Sequence, residues 1–281
     1  MVCRHLEEAA SAVRRERVRG SWWCLTTLVE ALARCCEEGG VDVERAAELV
    51  ESSSPSMAAV RNLAQLLRLS RAEPCRVIES LRSYLATARR ALVEESRAFL
   101  RGVVATISFS SAVIDAVAGC GRVERVILLE SRPGSEAVHA ARRLRELGID
   151  ALIVPDTEMA RAVERSDVVA IGCDAIDRGA WVLNKVGSRP LAMVAKRLGR
   201  PVYVLCESIK MCIGGYACRE LEEATVWSYD VDGERIEVRV FECVEPDLFS
   251  MIITDLGPIH PTPPNVEHCV RQLLRRVAGH G

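Results

Sequence analysis

The chain reads as an α/β protein: a helical N-terminal domain followed by a Rossmann-like, doubly wound, mostly parallel sheet domain. Three observations predict this. Up to about Arg97 the apolar residues recur at helical spacing; after Gly102 they gather into short aliphatic runs; and those runs alternate with amphipathic stretches. Continuous apolar strands separated by amphipathic helices need cover on both faces of a parallel sheet.

In the helical part, Leu28, Val29, Leu32 and Ala33, then Leu63, Leu66 and Leu67, then Val77, Leu81 and Leu85 keep to one face, with charges between. Gly39-Gly40, Ser52-Ser53-Ser54-Pro55 and Glu73-Pro74 interrupt the pattern, giving four or five helices over residues 1–100. Residues 101–281 form the second domain, with strands expected over 103–107, 126–129, 151–154, 168–171, 202–205 and 251–253. Helices are expected over 134–147, 159–163 and 191–198, with another opening at Ala112. Residues 207–240, carrying Gly214-Gly215 and Asp232-Gly233, predict a looser excursion with a hairpin, and prolines 258, 261, 263 and 264 stiffen the approach to a last helix ending near Gly279.

A chain of 281 residues buries roughly three quarters of its unfolded surface, enough for a full core. It is 49% hydrophobic and 27% charged with a net charge of -2, which argues against nucleic acid as a partner. The start Met1 to Glu8 lacks the form of a signal peptide and no apolar run approaches a membrane span, so a cytoplasmic protein is expected. Among the 12 cysteines no CxxC pair occurs, and neither metal nor cofactor is expected. In a reducing cytosol the thiols serve as small buried hydrophobes; in a hyperthermophile's cytosol some could pair as disulfides.

Ligands of open α/β sheets bind at the carboxyl ends of the strands, where helix amino termini converge. The residues following each expected strand are Ser108, Ser110 and Ser111; Glu130 to Gly134 with Arg132; Asp156; Gly172, Cys173 and Asp174; and Glu207, Ser208 and Lys210. Asn184-Lys185 precedes Gly187-Ser188 on the same rim. Two of only three lysines, Lys185 and Lys210, fall there with Arg132, which suggests a pocket for a phosphate. Simpler roles also fit: Ser110 or Ser111 as a helix N-cap, Asp156 as another, Asp174 bonding its own loop. P-loop and GxGxxG patterns are absent, and His139 sits inside a helical pattern, so it cannot complete a Ser-His-Asp set.

Taken together, "TISFSSAV", "ESRPGSEA", Asp156, "VVAIGCDAIDRGAWVLNKVGS", "PVYVLCESIKM" and "MIITDLG" resemble one superfamily, strongly over 103–266 and weakly in the helical part. It holds the alpha, beta and delta regulatory subunits of translation initiation factor 2B, ribose-1,5-bisphosphate isomerase and 5-methylthioribose-1-phosphate isomerase. The resemblance implies a cleft between the domains at the strand ends. It also implies, for the isomerases, a cysteine ending the first strand that works with an aspartate to move hydrogen between sugar carbons one and two. Asp174 matches the aspartate; Ser108 stands where the cysteine would be, and a hydroxyl cannot be tuned to ionise near neutrality as a thiol can. Ser53-Ser54-Pro55 stands for the isomerases' Thr-Arg-Pro, whose arginine grips phosphate, whereas Arg19-Gly20 is similar to their other phosphate-binding pair. Asn184, Lys185, Arg132 and Lys210 also match retained positions. Cys173 or Cys206 could restore a thiol, although alternation along the strand turns Cys173 away from Asp174.

The expectation is an initiation factor 2B-like, archaeal protein without a catalytic cysteine. It would work as a homodimer, hold a phosphorylated small molecule and contact the alpha subunit of translation initiation factor 2. The alternative is a sugar-phosphate isomerase of the ribose-1,5-bisphosphate type, with Asp174 as acid and base.

Overall fold

The computed structural model describes residues 3–16, 20–70, 73–223 and 226–279. Five helices come first: α1 (Arg4–Arg15), α2 (Gly20–Glu37), α3 (Val43–Ser53), α4 (Ala58–Leu69) and α5 (Pro74–Ser96). The expected breaks fall at their boundaries: Gly39-Gly40 between α2 and α3, Ser52 to Pro55 across the end of α3, and Glu73-Pro74 at the start of α5. Asp42 caps α3 by accepting a hydrogen bond from the Arg45 N–H, and Pro74 opens α5, where a missing N–H costs nothing. Their apolar faces close on one cluster that includes Leu25, Leu28, Leu32, Leu63, Leu66, Leu67, Leu81 and Tyr84, all 1% exposed or less.

Helical packing here is reinforced covalently. Cys3 pairs with Cys35 and Cys36 with Cys75, so adjacent residues at the end of α2 reach α1 and α5; Cys218 pairs with Cys243. Half of the 12 cysteines are thus disulfides, and Cys24, Cys120, Cys173, Cys206, Cys212 and Cys269 are buried thiols.

Beyond α5 the chain alternates: β1 (Gly102–Ile107), α6 (Ser111–Cys120), β2 (Val123–Leu129), α7 (Ala137–Glu146), β3 (Asp150–Val154), α8 (Met159–Glu164) and β4 (Val168–Ile171). A side layer follows, β5 (Ala175–Ile176) and β6 (Val182–Lys185), then α9 (Ser188–Arg197), β7 (Val202–Leu205) and α10 (Cys218–Glu223). The excursion ends with the hairpin β8 (Val226–Val231) and β9 (Glu234–Arg239), and with β10 (Phe241–Val244); β11 (Met251–Thr254), β12 (Gly257–Ile259) and α11 (Pro263–Ala278) complete the fold. The main sheet has the order β12-β11-β7-β4-β1-β2-β3, parallel except for β12, which pairs antiparallel with β11. This is the expected doubly wound sheet.

Two apolar layers cover it. Helices α6, α7 and the end of α5 pack on Val104, Val126, Leu128 and Ala170, whereas α8, α9 and α11 pack on Ala105, Ile127, Val169, Ile171 and Val204. Leu273 and Val277 at the end of α11 join the helical cluster, so the last helix returns to the first part of the chain. Among the described residues no helix is long and apolar enough to cross a membrane.

Asn184 and Lys185, placed on the rim with no strand expected over them, lie on β6, which pairs antiparallel with β10. Four residues with two polar members are too short and too mixed to show a strand period.

Candidate functional site

The strand order reverses between β1 and β4: from β1 the chain steps outward to β2 and β3, then crosses to β4. A crevice opens at such a point because the connections leave the two strands in opposite directions. Here it is a cavity of about 60 Å³ lined by Gly20, Ser21 and Trp22 from α2, Ser108 to Ser111 after β1, Cys173 and Asp174 after β4, Asn184 and Lys210. Its volume is well below the roughly 300–1,000 Å³ of a site that encloses a drug-sized ligand.

The sheet side of the cavity is tied loop to loop. Asp156 accepts hydrogen bonds from the main-chain N–H of Ser131 and of Arg132, both at 2.8 Å. Ser131 Oγ accepts from the Ser108 N–H at 2.7 Å and donates to the Leu129 carbonyl at 2.9 Å. Ser108 and Ser131 both hold left-handed backbone, at φ 67° and 68°, a conformation that non-glycine residues keep only where surrounding bonds hold it. Ser110 caps α6 by accepting from the Val113 N–H. It sits so close to Gly172 that a Cβ there would come within 2.4 Å of Ser110 Oγ.

Buried charges organise the opposite side. Lys210 Nζ donates to the Cys173 carbonyl at 2.8 Å and pairs with Glu207 at 3.0 Å; Glu207, fully buried, pairs also with Arg89 of α5. Arg89 donates to Ser111 Oγ and Asp115, both at 3.0 Å, and its guanidinium lies 4.8 Å from the Trp22 ring. Burial works against charge on Glu207, but Lys210 and Arg89 outweigh it and hold its pKa below the ordinary value. The next residue, Ser208, donates through N–H and Oγ to Asp255 at 2.6 and 3.1 Å and accepts from Tyr84 OH at 3.0 Å. Asn62 of α4 donates to the carbonyls of Ile209 and Met211, each at 2.7 Å.

Asp174 differs from these charges. Its N–H donates to the Leu183 carbonyl, but among the described residues no donor reaches its half-buried carboxylate. Burial pushes this carboxyl up; Lys210 and Lys185 oppose the shift and Glu207 adds to it. Of the two replacement thiols, Cys206 is fully buried, pushed well above the ordinary thiol range by burial and by a hydrogen bond with Cys173. Cys173 borders the cavity, yet its sulfur belongs to the core layer beneath α9 and meets Cys206.

Ser108, Ser110, Gly20, Asn184, Lys210 and Asp174 therefore converge, and two expected cations do not. The Arg132 side chain turns outward, 60% exposed, toward Ser135 and Glu130, and borders a separate groove with Trp227 and Tyr229, because Asp156 fixes its main chain. Buried Lys185 is committed to Glu136 at 2.6 Å, and its charge reaches Asp174 only through space. Arg19 lies outside the described residues. Ser53 donates to the Val50 carbonyl within α3, and none of Ser53, Ser54 and Pro55 lines the cavity. Among the described residues no group of three or more His, Cys, Asp and Glu side chains gathers as for a metal.

Comparisons with known proteins identify the family and the fold. A translation initiation factor eIF-2B subunit 2-like protein of Pyrococcus abyssi is 27% identical over 274 residues, 90% of this chain and 96% of that one. Ribose 1,5-bisphosphate isomerase of Archaeoglobus fulgidus is 25% identical over 90% of this chain and 89% of its own length. The crystal structure of translation initiation factor eIF-2B of Pyrococcus horikoshii superposes with a TM-score of 0.82 at 25% identity, covering 94% of this chain and all of that one. The model of the Initiation factor 2 subunit family matches residues 17–261, most of the chain. The chain belongs to the Initiation factor 2 subunit family.

Proposed function

We propose that this family member is a regulatory, non-catalytic protein of the initiation factor 2B-like kind, which holds the phosphorylated head of a small molecule at the ends of β1 and β4. The carrying observation is Ser108. It stands at the end of β1, where isomerase chemistry calls for an ionisable sulfur, and Cys173, the thiol that borders the cavity, is buried against Cys206. An alcohol there donates and accepts hydrogen bonds but does not ionise near neutrality as a thiol can. Ser108, Ser110, Asn184 and Lys210, beside the amino ends of α2 and α6, suit a small anion. A homodimer in the cytoplasm, contacting the alpha subunit of translation initiation factor 2, agrees with the initiation-factor names of the relatives.

A second reading, a pentose-phosphate isomerase, is favoured by the unpartnered and raised carboxyl of Asp174 and by the resemblance to the Archaeoglobus isomerase. Incubation with ribose 1,5-bisphosphate and with 5-methylthioribose 1-phosphate separates the two. The proposal expects no ketose from either; turnover that disappears in Asp174→Asn would establish the isomerase instead.

A further inference from the structure

Arg89 borders no part of the cavity, yet it touches three groups that shape it: Ser111, Trp22 and Glu207. It comes from α5, in the helical part of the chain, and its side chain is 15% exposed. We propose that Arg89 is a positioning residue for the cleft, neutralising buried Glu207 so that the ammonium of Lys210 is left to hold an anion. This rests on reading the cavity as a site for a phosphorylated head group.

The argument is one of charge count. Lys210 has three N–H donors; one goes to the Cys173 carbonyl and one faces Glu207, which leaves one for the cavity that Lys210 lines. If Glu207 had Lys210 as its sole partner, the pair would present no net charge to a ligand. Arg89 pairs with the other oxygen of the same carboxylate, so the buried triad of Arg89, Glu207 and Lys210 carries one net positive charge. Asp115 on the far side of Arg89 is 42% exposed, so solvent screens its charge more than that of Glu207, which has no exposure. Asp174 lines the same cavity and adds a negative charge when ionised; burial raises its pKa, while Lys210 and Lys185 oppose that rise. A guanidinium suits the post: it stays charged at every working pH and its planar fork reaches Ser111, Asp115 and Glu207 together.

A merely structural Arg89 and a charge-balancing one make opposite predictions for Glu207. The test is calorimetric titration of the full chain with ribose 5-phosphate, with circular-dichroism melting of every variant. Glu207→Gln leaves two buried cations, and affinity should rise about tenfold; Arg89→Gln should lower it by about the same factor; the double variant should return to within about twofold of the parent, these factors following from one charge felt across a partly buried site. Should Arg89→Gln fail to fold, Glu207→Gln and the double variant still decide. Weaker binding in Glu207→Gln, or a double variant no better than Arg89→Gln, would overturn the role of Arg89 while leaving the cleft a phosphate site. If the parent chain binds no ribose 5-phosphate at all, both this inference and the reading beneath it fall.

Discussion

The two walls of the cleft are held by different physics. On the sheet side, three neighbouring strand ends are laced together by short contacts that run from Asp156 to Ser131 to Ser108. On the helical side, Asn62, Tyr84 and Arg89 reach across from α4 and α5 to fix residues 207–211 through buried hydrogen bonds and ion pairs. One wall is a property of the doubly wound sheet and forms wherever that sheet forms. The other exists only when the helical part docks, so the electrostatics of the site depend on the part of the chain that contributes least of its lining.

Breaking the helical wall should cost most. Disulfide Cys36–Cys75 joins the end of α2, which carries Trp22, to the start of α5, which carries Arg89, and closes a loop of 39 residues. Replacing both cysteines by serine should remove about 4 kcal/mol of stability in urea unfolding, by loop-closure entropy; a loss under about 1 kcal/mol would show that packing alone secures α2 against α5. Arg89→Ala comes next. It leaves fully buried Glu207 with Lys210 alone, and about 3 kcal/mol should be lost by the same measurement.

Changes on the sheet wall should be milder and more local. Gly172→Ala drives a Cβ to 2.4 Å from Ser110 Oγ and 2.7 Å from Ser110 Cβ, an overpacking that should cost about 2 kcal/mol. Adding Ser110→Gly should recover most of it, and an unrecovered loss would move the clash elsewhere. Ser131→Ala strips the acceptor from the Ser108 N–H, and about 1 kcal/mol should go.

The smallest effect is the most diagnostic for Asp174. Its folded pKa is raised above the unfolded value of 3.8, so the stability it contributes is complete below that pH and is lost as pH rises through the folded pKa. Asp174→Asn should therefore raise the melting temperature at pH 7 and leave it unchanged below about pH 3.8. A loss at pH 7 would mean that the carboxylate has a stabilising partner.

This contrast also marks what the sequence could reveal. Strands and helices after Gly102 show themselves because buried parallel strands are continuous apolar runs, and the topology then places Ser108 and Asp174 in one crevice. The helical wall stays hidden: Tyr84 meets Ser208 across 124 positions and Asn62 meets Ile209 across 147, and no local spacing signals such contacts. Arg132 misleads for a related reason, since the turn that brings its main chain to the rim points its side chain outward. Cysteine pairing was equally invisible, because the bond from Cys36 to Cys75 depends on how α2 crosses α5.

The central claim is that an alcohol at the end of β1 turns a reaction site into a receptor. Proton NMR of ribose 1,5-bisphosphate with the protein in D2O tests both halves on one sample. Saturable line broadening of the sugar, with its C1 and C2 protons intact and no new ketose signals, is the result this account predicts. Deuterium entering at C2 or a growing ketose spectrum, abolished by Asp174→Asn, would contradict it.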